Sequence, residues 1–194
     1  VFDIPIYLYE KEGEKIALTM SFVGSAGAAG GIDELYARGC RKFMICGGAG
    51  CLVSKTEVGA LMLPTSAVRD EGASYHYLPP SREAEGPKEA IEAAAQGLRE
   101  MGIPFRFGKT WTTDGFFRET PAMIAKRREE GCITVEMETA AFFAVAAYRK
   151  VQLAQILYGG DDVSSEAWDD RSWNKRDGIR SNLIEICLKL VNRL

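Results

Sequence analysis

A chain of 194 residues that is 46% hydrophobic can bury one ordinary core, and it is too short for two full domains. Lys and Arg total 24 against 27 for Asp and Glu, a formal net charge of -3, which argues against nucleic acid or an anionic membrane as a partner. The longest apolar runs, residues 43–46 and 140–147, fall far short of the roughly 20 residues of a membrane span; residues 1–9 show no leader pattern and the five cysteines form no CxxC pair, so a soluble, cytoplasmic chain with reduced thiols is expected.

Residues 15–23 predict a strand and 28–38 a helix, which Gly39 ends from the C′ position. Residues 42–46 read as a short buried strand running into a loop, Gly47-Gly48-Ala49-Gly50. A strand, a crossover helix and a strand in that order build parallel sheet. Another strand is predicted over 59–68, followed by a polar loop that carries the single histidine, His76, better suited to a surface or interface than to a catalytic base. Pro87 fits the first turn of a helix with Ile91, Ala94, Leu98 and Met101 on one face. Next come a strand over 105–112, a charged helix over 121–130, and a short strand over 133–135 that leads into Glu136-Met137-Glu138. Residues 139–150 are almost wholly apolar and predict a buried helix; 153–158 predict a strand ending at Gly159-Gly160-Asp161-Asp162. The last helix aligns Leu183, Cys187, Leu190 and Leu194. This alternation predicts a single α/β domain, in which ligands gather at the carboxyl ends of strands.

Three segments carry chemistry there. Alternation puts Glu136 and Glu138 on one side of an extended chain, with Met137 opposite. One of the two can cap the following helix, Glu136 being better placed for it, while a carboxylate facing a cleft can accept two hydrogen bonds from a vicinal diol such as ribose. Asp161 and Asp162 are either a solvated turn pair or acids projecting over the sheet end, where one could donate a proton. Phe116 and Phe117 suit the core or the face of a flat ligand. Arg171 and Arg176 lie in a tryptophan-rich stretch that fits a lid, an interface or packing across the last helix. The Gly47-Gly48-Ala49-Gly50 run matches neither a Walker loop nor a dinucleotide fingerprint, which argues against a Rossmann oxidoreductase.

Val135-Glu136-Met137-Glu138-Thr139-Ala140-Ala141, followed after a helix and a strand by Gly160-Asp161, resembles the nucleoside phosphorylase/nucleosidase superfamily, which includes bacterial purine nucleoside phosphorylase and uridine phosphorylase. The stretches Thr112-Thr113-Asp114-Gly115-Phe116-Phe117 and Ser66-Ala67-Val68-Arg69-Asp70-Glu71-Gly72-Ala73-Ser74-Tyr75-His76 extend the resemblance over nearly the whole chain. It implies a mixed central sheet flanked by helices and an enzyme that cleaves the N-glycosidic bond of a nucleoside. Phosphorolysis to free base and ribose 1-phosphate is the leading form; a water-using nucleosidase and a nucleoside-binding oligomer without turnover are the alternatives.

By the same resemblance Asp161 is the general acid at the leaving base. Glu138 holds the ribose hydroxyls, Met137 packs on the sugar and Phe116 lies against the base. Glu136, Thr113, Gly160 and Gly24 join the substrate contacts, and the backbone of Gly48 and Ala49 meets an oxyanion. Apart from the resemblance, Arg118, Arg171 or Arg176 could supply a base or phosphate contact, with Arg171 and Arg176 the candidates for the anion. Phosphate is the co-substrate, with no metal or organic cofactor, and a neighbouring subunit completes the site in a homo-oligomer built on dimers, up to a hexamer. The family's Gly-Asp-Pro phosphate loop belongs ahead of Val1, so the domain expected over 1–194 lacks the N-terminal strand and that loop. Ile45 stands where a phosphate-binding arginine is usual, and Gly48 where a serine or threonine is. Thr120 and Ala122 replace the glutamine and arginine of uridine phosphorylases, so uridine specificity is not implied.

Overall fold

The computed structural model describes residues 4–11, 13–165 and 167–194; residues 1–3, part of the stretch read for a leader, lie outside the described residues. Its first elements, β1 (Ile6–Lys11) and β2 (Glu14–Thr19), form an antiparallel ribbon of their own, in register from Ile6↔Thr19 to Lys11↔Glu14. The strand predicted over 15–23 is therefore shorter than expected and is not the first member of the parallel sheet. Two short strands joined by a tight turn, with Gly13 at φ 83, close on each other at a small loop-entropy cost.

Helix α1 (Ser25–Ala37) buries Ala28, Ala29 and Ile32, and Gly39 at φ 104 takes the left-handed conformation that ends it, as predicted. Strand β3 (Lys42–Cys51) does not stop at Cys46. The glycines expected to form a loop continue the strand, paired Gly47↔Leu157, Gly48↔Tyr158 and Ala49↔Gly159. The missing side chains leave room for rings: a Cβ on Gly48 would stand 3.1 Å from both Trp173 and Tyr158.

The remaining elements are β4 (Leu61–Asp70), β5 (Glu83–Glu85), α2 (Lys88–Glu100), β6 (Phe105–Thr113), α3 (Pro121–Glu129), β7 (Cys132–Glu136), α4 (Thr139–Arg149), β8 (Gln152–Asp162) and α5 (Asp177–Leu190). The main sheet runs β5-β4-β6-β7-β3-β8, and β4 also meets β8 through Leu61↔Tyr158 and Met62↔Leu157. The strands thereby close into a ring. Strands β4, β6 and β7 are parallel to one another, β3 is parallel to β8, and the two sets meet antiparallel where Gly50 and Cys51 pair with Val135 and Thr134. This crossing brings the ends of β3, β7 and β8 to one place.

Helix α4 is buried from Thr139 to Ala146, as its apolar sequence requires; it packs against α1, β4 and β5 and shares one core with Ile91, Ala94 and Leu98 of α2 and with Leu183, Cys187 and Leu190 of α5. Each buried leucine contributes about 1.5–3 kcal/mol. Leu194 lies beyond α5, partly buried against the same core. A second cluster, Leu52, Val68, Trp111, Ile124, Cys132, Val135 and Val163, sits on the opposite side under α3. There Arg127, 5% exposed, reaches Asp70 Oδ2 and Glu130 Oε2 at 2.9 Å each and lies over the Trp111 ring, whose Nε1 also donates to Asp70 at 2.9 Å. Among the described residues no helix is long and apolar enough to cross a membrane.

Candidate active site

Strand β7 delivers Glu136 to the start of α4, where it is buried. Its Oε2 accepts the backbone N–H groups of Glu138 and Thr139, each at 2.7 Å, and its Oε1 accepts the Thr112 hydroxyl at 2.7 Å. Burial pushes its carboxyl above the usual range in spite of these donors. Glu136 is thus the cap of a buried helix and a brace to β6. Both of its oxygens already accept hydrogen bonds within the chain, and Oε1 carries a single one.

Glu138 stands at the N-cap position of α4 but does not cap it. Its Oε1 accepts the N–H of Gly24 at 2.6 Å, while the Ser25 hydroxyl donates to the Met137 carbonyl at 2.6 Å. Gly24, at φ 93, opens α1, so the N-termini of α1 and α4 face each other across Glu138. Burial, and then the charge of Glu136, push the Glu138 carboxyl up to about 7. The folded state therefore holds this proton more tightly than the unfolded chain does. The resulting stability is complete below the ordinary value of 4.5 and is lost as pH rises through about 7. Glu138→Gln has no proton to lose, so at pH 8 it should exceed the parent in urea unfolding by up to about 3 kcal/mol, shrinking to under about 1 kcal/mol at pH 5. Equal stability at pH 8 would show that the carboxylate carries no such penalty.

Asp161 lies near the end of β8, against the β3–β7 crossing. A Cβ on Gly50 would stand 2.9 Å from Val135, so the close approach of that side chain is what calls for glycine, and 3.5 Å from Asp161 Oδ1, an ordinary contact. The indole Nε1 of Trp168 donates to Asp161 Oδ2 at 2.6 Å, and Asp162 and Asp169 exchange backbone hydrogen bonds at 2.8 and 3.1 Å. Gly160 lies under the Trp173 ring, as does Gly48; a Cβ on Gly160 would stand 3.4 Å from that ring. Gly48 and Ala49 belong to the β3–β8 ladder. The loop geometry expected to turn their backbone toward an oxyanion is absent.

Arg171, expected as an anion contact, directs Nη1 to the Thr56 carbonyl at 2.5 Å and Nη2 to the Asp161 carbonyl at 2.9 Å. Its hydrogen bonds go to backbone, because the segment after β8 folds back over the strand ends. Arg176 is exposed, with Nη2 3.5 Å from the Arg171 carbonyl. The Thr113 hydroxyl accepts the N–H of Gly115 at 3.1 Å and turns the chain into Phe116–Arg118, where the half-exposed Phe116 ring meets Phe117 at 4.1 Å between centroids.

Glu119, next in the chain, escaped the sequence reading. It is half-buried, and burial together with the charge of Asp161 pushes its carboxyl up to about 7. The signal was an acid placed between an aromatic pair and the Thr120-Pro121 helix start. Trp168 was likewise passed over as a named partner, although its tryptophan-rich surroundings stood out.

The residues thus fall into two groups, Gly24, Met137 and Glu138 after β7 and Gly160 and Asp161 at the end of β8, and both strands pair with the end of β3. No hydrogen bond links Glu138 to Asp161 among the described residues. Two surface hollows lie elsewhere. One of about 360 Å³ is lined by Ala26, Ala29, Gly72, Ala73, His76, Tyr77 and Asp114, and one of about 340 Å³ lies between Glu85 and Gln152; neither includes Glu138 or Asp161.

Comparison with known proteins identifies the family and the fold. A guanosine phosphorylase from Halorubrum lacusprofundi is 24% identical over 193 residues, covering 94% of this chain and 78% of that protein. A DeoD-type purine nucleoside phosphorylase from Bacillus cytotoxicus is 23% identical over 92% of this chain and 76% of its own length. A uridine phosphorylase from Thermococcus kodakarensis is 30% identical over 106 residues, 55% of this chain and 38% of that protein. In structure, a uridine phosphorylase from Vibrio fischeri matches with a TM-score of 0.78 at 21% identity, covering 99% of this chain and 77% of that one. The sequence model of the phosphorylase superfamily matches residues 3–191. With the Val135–Ala141 pattern, the single α/β domain and the mixed sheet all in agreement, the chain belongs to the phosphorylase superfamily and is a nucleoside phosphorylase-like enzyme.

Proposed function

We propose that the enzyme cleaves the N-glycosidic bond of a nucleoside by phosphorolysis, giving free base and ribose 1-phosphate. One observation carries this reading: strands β7 and β8, which both pair with the end of β3, lead into two acids in different surroundings, Glu138 between two helix N-termini and Asp161 on a strand end beside aromatic rings. Breaking the bond leaves positive charge on the ribose and negative charge on the base. Glu138, once ionised, accepts the ribose hydroxyls and opposes the positive charge. Asp161 supplies the proton at the base, so each acid acts where charge develops. Met137 borders the sugar and Phe116 the base. The names of the relatives support phosphate as the co-substrate.

Hydrolysis is the second reading. It is favoured by Ile45 and Gly48 at positions where the family holds phosphate, and by Arg171 being committed to two carbonyls. The two separate in one assay: purine and pyrimidine nucleosides are incubated with and without phosphate and the sugar product is identified. Ribose 1-phosphate formed only with phosphate is the expected result; free ribose regardless of phosphate would establish hydrolysis, and binding without any product would refute both.

A further inference from the structure

We propose that Trp168 gates the candidate site: its indole occupies the outward oxygen of Asp161, and a base reaches that oxygen only when the indole swings away. The proposal rests on the reading of Asp161 as the acid that meets the base.

The two carboxylate oxygens differ in access. Oδ1 is turned to the wall made by Gly50, with Val135 and Val163 alongside; a Cβ on Gly50 would lie 3.5 Å from Oδ1, 2.9 Å from Val135 and 3.7 Å from Val163. Oδ2 is the oxygen left for a ligand, and it accepts the indole N–H at 2.6 Å. The indole thus stands where a leaving base, which must accept its proton from Asp161, has to come, and the two cannot occupy that oxygen together.

Trp168 is not held there by burial. It is 65% exposed, whereas a structural tryptophan such as Trp111 is fully buried. Ser165, Ala167, Asp169 and Asp170 around it are exposed as well. The segment is tied down by the Asp162–Asp169 backbone pair and by Arg171, so the rest of it can stay anchored while the ring moves. Arg171 and Ser172 both sit in the left-handed region, at φ 45 and 51, a conformation that non-glycine residues hold only under tertiary restraint. A gate of this kind lowers apparent affinity by the fraction of molecules in which it is open.

Trp168→Phe keeps a ring and removes the N–H. The expected result is a KM lower by roughly three- to tenfold with kcat maintained. A lower kcat at constant KM would make Trp168 an aid to the acid, and no change in either would remove any role; both outcomes overturn the gate. A readout independent of turnover is the indole N–H resonance, assigned among the three tryptophans by its disappearance in Trp168→Phe. It should exchange with solvent more slowly than free tryptophan, lose that protection in Asp161→Ala, and lose it also on adding the nucleoside that the assay shows to be cleaved. An unprotected signal in the parent protein overturns the proposal. Turnover accompanied by an indole signal that substrate does not move rejects the gate alone; failure to turn over any nucleoside rejects the functional reading and the gate with it.

Discussion

Asp161→Asn leaves a folded protein whose nucleoside turnover is reduced by about 10²- to 10⁴-fold, the usual span for loss of a general acid. The fold should survive because the substitution preserves shape, the Trp168 indole still finds an oxygen acceptor, and the Arg171 contact goes to the backbone carbonyl of residue 161. What disappears is the transferable proton. The loss belongs in kcat, with KM little changed, and the urea midpoint should match that of the parent. Turnover within threefold of the parent would place the acid elsewhere. Glu119 is then the next residue to test, because it lies close enough to feel the charge of Asp161 and its carboxyl is pushed up to about 7.

Arg127→Ala should lower stability by about 3 kcal/mol, the lower end of the range for breaking a buried ion pair. Arg127 is 6% exposed in its side chain and joins Asp70 to Glu130, and its guanidinium covers the Trp111 ring at 5.2 Å. Glu130 keeps Arg82 as a partner, but Asp70 would retain, among the described residues, only the Trp111 indole as a side-chain donor. The Asp70 side chain is 32% exposed, so water relieves part of the penalty. Arg127→Met, which keeps volume over Trp111, should recover part of the loss. A midpoint shift below about 1 kcal/mol in urea for Arg127→Ala would show that the network is solvated in solution.

Much of this architecture was legible in the residues because local rules and burial agree. The unbroken apolar run of α4 could only be a buried helix, Gly39 could only end α1 in the left-handed region, and the Ile91, Ala94 and Leu98 stripe was bound to face a sheet. The ring closure was hidden. It depends on two residue pairs, Leu61↔Tyr158 and Met62↔Leu157, joining strands distant in sequence, and on a glycine run that by its composition reads as a loop. The ribbon was misassigned because pairing with the preceding strand and pairing across a helix place the same alternation on a strand.

At the candidate site, the identities of Glu138 and Asp161 were legible from their strand ends. The division of labour between Glu136 and Glu138 was legible only as a pair of alternatives. Three donors settle Glu136 in the cap, and a contact from Gly24, 114 residues away, orients Glu138. Glu119 and Trp168 escaped for the same reason. Their relevance lies in touching or sensing Asp161 from other segments, and no local pattern encodes that.

The two acids rest on foundations of unequal rigidity. Glu138 heads a helix whose first two turns are sealed inside the protein, so altering the floor beneath it disturbs the core; the outward oxygen of Asp161 is met by the exposed Trp168. On the proposed chemistry, a descendant of this sequence can change its preference among bases by substitutions that cost little stability. Changing which sugar it accepts would mean rebuilding the interior.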